Sequence, residues 1–161
     1  MAVPHLTSHV AAYELPKGDI VKVRVIYSSH CWSRAYDAGH DGQNRFMDGL
    51  RPRGFCEDRY RLSFSLKELI EGLPANKIYM TLAERNFGAY CATKILKDGT
   101  AYTAFFTLRG DKGRFDGVRH RLTLHVESAY MCPQPDPLGQ KAGFPALINS
   151  ALTGKQLSFK R

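Results

Sequence analysis

The stretch Arg119–Cys132, R-H-R-L-T-L-H-V-E-S-A-Y-M-C, constrains the fold more than any other part of the chain. Side chains along an extended strand alternate between two faces. Strict alternation sets His120, Leu122, Leu124, Val126, Ser128 and Tyr130 on one side, and Arg119, Arg121, Thr123, His125 and Glu127 on the other. The first set is predicted to rest on a core. The second turns outward, as either a solvated charged face or a surface that performs acid–base chemistry on an anion. A sheet with one dry and one wet face points to antiparallel pairing.

Residues 1–18 read as a lead-in closed by Pro16 and Gly18. Ile20–Tyr27 alternates as a strand, with Val21, Val23, Val25 and Tyr27 inward and Lys22, Arg24 and Ile26 outward. From Ser28 to Asp58 periodicity dissolves, which predicts a long irregular loop. Arg59–Phe64 alternates again, with Arg59 and Arg61 outward, and Ser65 then has the spacing of a helix start that ends at Gly72 and Pro74. Lys77–Thr81 reads as a short strand. Ala89–Leu96 and Ala101–Arg109 flank Asp98-Gly99, a preferred hairpin turn because both residue types tolerate positive φ. Arg109–Gly117 reads as a basic connection. Pro133, Pro135 and Pro137 stop regular pairing, Phe144–Thr153 has helical spacing stopped by Gly154, and Gln156–Lys160 reads as a last edge strand. The expectation is a single α+β domain over residues 1–161, with an antiparallel sheet of about five strands, two short helices and a long loop at 28–58.

Charge directs the search for a partner. The chain carries 23 Lys and Arg against 15 Asp and Glu, a net +8 that attracts polyanions, nucleic acid above all. No apolar run approaches the roughly 18–20 residues of a membrane span, so no membrane association is expected. The amino terminus lacks a basic patch followed by an apolar core, and a cytoplasmic location is expected. The four cysteines, Cys31, Cys56, Cys91 and Cys132, have neither a disulfide framework nor a zinc signature in their spacing and read as reduced thiols. A zinc set of His30, Cys31, His40 and Cys56 needs an irregular arrangement. No metal or other cofactor is expected.

Three groups can carry chemistry. Metal-free RNA cleavage needs a base, an acid and cations. Arg121, His125 and Glu127 share one face at steps of about 6–7 Å, and Lys22, Arg24, Arg59 and Arg61 join them if their outward faces coincide. The second group is Tyr27–Arg34, where His30, Cys31, Trp32 and Arg34 follow a strand end; the alternative is that Cys31 and Trp32 plug the core. The third is the loop holding Arg109, Lys112 and Arg114, followed by Arg119, which suits phosphate contact. No phosphate-binding glycine loop, H-E-x-x-H pattern or G-x-S-x-G elbow occurs.

The order of leading strand, short helix, antiparallel meander and late V-E-S-A-Y resembles small bacterial and prophage proteins and, more distantly, the barnase/EndoU/colicin/RelE-like endoribonuclease toxins. Several of those families carry a Ser or Thr two residues before an aromatic on a late strand, as Ser128 and Tyr130 stand here. The resemblance implies a metal-independent RNase, often with an antitoxin or immunity protein as partner. Strict alternation puts Ser128 and Tyr130 opposite His125 and Glu127 unless a bulge intervenes. The catalytic expectation falls on His125, Glu127, Arg121 and His30, with Lys22, Arg24, Arg34, Arg59, Arg61, Arg109, Lys112, Arg114 and Arg119 on nucleic acid. The alternatives are a non-catalytic nucleic-acid-binding or regulatory module, and a mobile-element or defence factor whose positive charge meets an acidic protein.

Overall fold

The computed structural model describes residues 3–37, 39, 42–81, 89–133, 138–155 and 157. They form an α+β fold built on a seven-stranded sheet, with a separate three-stranded sheet beside it. The strands are β1 (His9–Glu14), β2 (Ile20–Tyr27), β3 (Ser33–Ala35), β4 (Arg45–Asp48) and β5 (Arg51–Phe55). They continue as β6 (Ile78–Thr81), β7 (Tyr90–Ile95), β8 (Ala101–Phe115), β9 (Val118–Met131) and β10 (Leu138–Ala142). The helices are α1 (Glu57–Ser63), α2 (Leu66–Glu71) and α3 (Phe144–Thr153).

The large sheet runs β1-β2-β9-β8-β7-β6-β10, and the small one β3-β5-β4. The pairing is mixed, because β2 and β9 run parallel, Val23 opposite Leu122 and Val25 opposite Leu124. The expected α+β class holds, and the expected antiparallel sheet of about five strands is corrected to a mixed sheet of seven with a second sheet of three. The apolar sides of β2 (Val21, Val23, Val25), β9 (Leu122, Leu124, Val126) and β8 (Tyr102, Ala104, Phe106) meet one core. Leu66, Leu69 and Ile70 of α2 and Phe144, Leu147 and Ile148 of α3 close it. The Tyr13 hydroxyl donates to the Ile70 carbonyl at 2.8 Å, which ties the edge strand β1 to α2. Helices thus cover one face of the sheet and leave the polar sides of β2 and β9 on the other.

Several expectations need correction. The lead-in contains β1, which pairs along its whole length with β2. The long loop holds the small sheet and a short 3-10 turn over Ser29–Cys31. Arg59–Phe64 is helical: the four-residue step from Tyr60 to Phe64 serves a helix as well as alternation serves a strand. Glu57 and Asp58 in the first turn favour the helix through its dipole. Ser65 does precede a helix, but its side chain makes no cap bond, and Glu68 reaches Lys94 at 2.7 Å instead. There are three helices among the described residues, not two.

Both turns of the meander use Asp-Gly. At Leu96–Thr100 only Gly99 takes positive φ, at 85°, and Leu96 and Thr100 close the loop with a 2.9 Å backbone bond. The second pair, Asp116-Gly117, takes positive φ at both residues (50° and 75°), the signature of a tight two-residue hairpin. The expected basic connection at Arg109–Gly117 is therefore the end of β8 and its turn into β9, a long two-stranded arm. Gly154, at φ 70°, ends α3 as expected. The edge strand expected at Gln156–Lys160 lies outside the described residues save Leu157. No described helix is long and apolar enough to cross a membrane.

Candidate anion-binding face

Two irregularities in the β8–β9 ladder shape the open face. In the first, Phe105 pairs with Ser128 and Phe106 with Val126, so Glu127 is an extra residue in β9. β2 ends beside it, and the Ser28 side chain donates to the Glu127 carbonyl at 2.8 Å. A bulge of this kind rephases every side chain beyond it. Ala129 enters the core, while Ser128 and Tyr130 join the face of Thr107 and His125, where Tyr130 stacks on Phe105 at 5.3 Å. Strict alternation had separated these residues.

The bulge also brings Glu127 onto His125. Glu127 Oε1 lies 2.8 Å from His125 Nδ1 and accepts a second bond from Thr107 Oγ1 at 3.3 Å. An ionised carboxylate only accepts, so Nδ1 is the donor in this bond. Both side chains of the pair are more than a third exposed. It sits in a recess of about 340 Å³ lined also by Ile26, Arg109 and Thr123.

The second irregularity sets Asp111 and Lys112 against Arg121 alone, between the pairs Gly110–Leu122 and Gly113–His120. Asp111 pins the bend twice: its carboxylate accepts from Thr123 Oγ1 at 2.6 Å, and its carbonyl accepts from His120 Nδ1 at 3.0 Å. The Arg24 guanidinium of β2 lies 4.3 Å from the Phe115 ring centre near the arm's tip. β2 and β8 are two strand spacings apart, about 10 Å, so the arm curls toward β2 to make that contact. Among the described residues, Arg24 Nε is buried and meets no hydrogen-bond partner.

Between the curled arm and the start of β2 lies a groove of about 880 Å³. Lys112 and Arg114 line it from the arm's β8 side, Arg119, His120 and Arg121 from β9, and Ile20 and Lys22 from β2. No acidic residue is among its lining residues. His120, only 5% exposed, fits against the arm because a Cβ at Gly113 would come within 3.1 Å of its ring.

The expected residues therefore divide. His125, Glu127 and Arg109 meet in the recess. Lys22, Lys112, Arg114, Arg119 and Arg121 meet in the groove, so Arg121 lies with the cations expected to contact phosphate and not beside His125 and Glu127. Five others line neither hollow, Arg24 being the one that lies against Phe115 of the arm. His30 faces Asp48 at 3.5 Å, Arg34 faces Asp37 at 3.7 Å and Arg61 faces Asp58 at 3.8 Å. Arg59 lies over Tyr130 and bonds the carbonyls of His30 and Ser33. Cys31 is buried, and burial pushes its thiol up to about 12, which leaves it unsuited to act as a nucleophile. Trp32 stacks on Phe46 at 4.8 Å, over the small sheet. His40 of the zinc set lies outside the described residues, among which no group of three or more His, Cys, Asp or Glu could hold a metal. Ile20, Thr107, Asp111 and His120 were not singled out from the sequence; the Asp116-Gly117 pair is the signal that places Asp111 and His120 in one hairpin.

The chain matches the family model of the YjaZ family over residues 1–152. It belongs to the YjaZ family. No curated protein matches it, and no solved structure does.

Proposed function

We propose that this protein binds RNA by its phosphate backbone along the groove between the β8–β9 arm and β2. The observation that supports this is the convergence of Lys22, Lys112, Arg114, Arg119 and Arg121 on one concave surface with no acidic residue in its lining. Cations gathered without counter-charges raise the local potential, and phosphate neutralisation with counterion release drives such binding. The test is a fluorescence-anisotropy titration of a labelled RNA oligomer with the wild type and with an Arg119→Glu/Arg121→Glu variant. The variant is expected to lose binding by a factor of a hundred or more while keeping its circular dichroism spectrum. Undiminished binding would refute the assignment.

A second reading is metal-independent cleavage of the bound strand, favoured by the His125–Glu127 bond at 2.8 Å in a recess shared with Arg109. His125 Nε2 would take the proton of a 2′-hydroxyl, and the 2′-oxygen would attack phosphorus. The 5′-oxygen would leave with a proton from the imidazolium, giving a 2′,3′-cyclic phosphate and a 5′-hydroxyl. Arg109 would offset the charge on the phosphorane, and Glu127 would stabilise the imidazolium. Incubation with RNA in EDTA should yield these ends from the wild type and none from His125→Ala. Equal cleavage by both proteins would sink this reading.

A further inference from the structure

We infer that the strand held in this groove is single-stranded, with one base seated against Ile20; this rests on the reading that the groove binds nucleic acid. Three observations point that way. The first is shape. Cations from both strands of the arm (Lys112 and Arg114, Arg119 and Arg121) and Lys22 from β2 line one groove of about 880 Å³. That is within the range of roughly 300–1,000 Å³ that engulfs a small ligand. One unpaired strand can enter such a hollow. A duplex, its bases stacked and paired inside, offers only its outer phosphates and sugars to the rim.

The second is the chemistry of the floor. Ile20 is 66% exposed and is the large apolar side chain of a lining otherwise made of five cations, a glycine and a histidine; its other side borders a recess with Leu15, Ile148 and Leu152. The long stems of those lysines and arginines add methylene surface around it. Phosphate alone gives this surface nothing to meet. An unstacked base supplies an apolar face a few ångströms from its own phosphate, and its contact tolerates any sequence.

The third is what the curl of the arm does to the alternatives. A basic patch with an exposed isoleucine also suits an anionic bilayer, but a bilayer is flat. The cations of this groove lie along a curled arm and on β2 beside it, with Arg24 and Phe115 holding the arm over. Contact with a plane would use the rim of the arm and leave Ile20 beneath it.

The experiment compares three probes with the full chain over the same series of salt concentrations. They are an unstructured 12-nucleotide RNA, the same RNA annealed to its complement, and vesicles of phosphatidylcholine containing phosphatidylserine. The single strand is expected to bind at least tenfold tighter than the duplex. Ile20→Ser should weaken single-strand binding about fivefold without changing its salt dependence, because no charge is removed. Ile20 is exposed, and an unchanged thermal midpoint will show that the variant folds. Equal affinity for duplex, or no effect of Ile20→Ser, overturns the single-strand inference and leaves RNA binding by the groove intact. Failure to bind either RNA overturns both. Vesicle binding that outcompetes the single strand overturns the choice of nucleic acid.

Discussion

Salt dependence gives the sharpest quantitative consequence of the groove. Each phosphate neutralised on a single strand releases condensed counterion and contributes about −0.7 to the slope of log affinity against log salt. Five cations line the groove, Lys22, Lys112, Arg114, Arg119 and Arg121. If each meets one phosphate, the slope is about −3.5, and raising salt from 50 to 200 mM weakens binding by roughly a hundredfold. Lys112 and Arg114 lie on the arm and can be removed without touching the core. A Lys112→Ala/Arg114→Ala variant should reduce the slope to about −2, whereas Arg61→Ala, a helix residue outside the groove, should leave it unchanged. The assay is anisotropy with a short unstructured RNA at five salt concentrations. A wild-type slope shallower than about −1, or one that the double variant does not alter, would show that the phosphates are held elsewhere.

Other perturbations test the structure that holds the groove. Gly117 sits at φ 75° in the turn of the arm, so Gly117→Ala should cost about 1–2 kcal/mol and also weaken RNA binding by unseating the arm. An unchanged thermal midpoint and unchanged affinity would contradict that role. A Cβ at Gly139 would come within 2.6 Å of the Met80 carbonyl oxygen, so Gly139→Ala should lower stability by about 1–3 kcal/mol in chemical denaturation. A neutral effect would mean that β10 does not lie this close to β6. Burial raises the Cys31 thiol to about 12, so it stays protonated from pH 5 to 9 and should resist alkylation until the protein unfolds. Mass-spectrometric mapping that finds Cys31 labelled as fast as a free thiol in the native state would refute the burial.

How far the residues alone announced this arrangement varies along the chain. β2 and the middle of β9 were legible because Val21, Val23, Val25 and Leu122, Leu124, Val126 alternate without interruption and meet the core as the pattern requires. α3 and its stop at Gly154 were legible for the same local reason. α1 was misread because Tyr60 and Phe64 fit both periods, and tertiary packing decides between them. The small sheet was missed because β4 and β5 are short, carry three arginines and a proline in nine residues, and alternate too briefly to be seen.

Long-range features had no local signature. The parallel pairing of β2 with β9 joins residues about a hundred positions apart, and nothing within either strand declares its direction. The bulge at Glu127 lies where β2 ends, and the Ser28 hydroxyl there donates to the Glu127 carbonyl. Its consequences reach the candidate site directly, since it draws His125 and Glu127 together and carries Ser128 and Tyr130 to their face. The second Asp-Gly pair, by contrast, was visible in the residues. Reading Asp116-Gly117 as a hairpin turn, as Asp98-Gly99 was read, places Lys112 and Arg114 on one strand of an arm and Arg119 and Arg121 on the other.

The groove can be located directly by following the backbone amides of the isotope-labelled protein by NMR as a short single-stranded RNA is added. Binding in the groove predicts shifts concentrated at residues 20–22 and 112–121, with smaller changes at the His125–Glu127 recess and none at β4 or β5. Shifts centred on the small sheet or on α1, with residues 112–121 unmoved, would contradict the central claim.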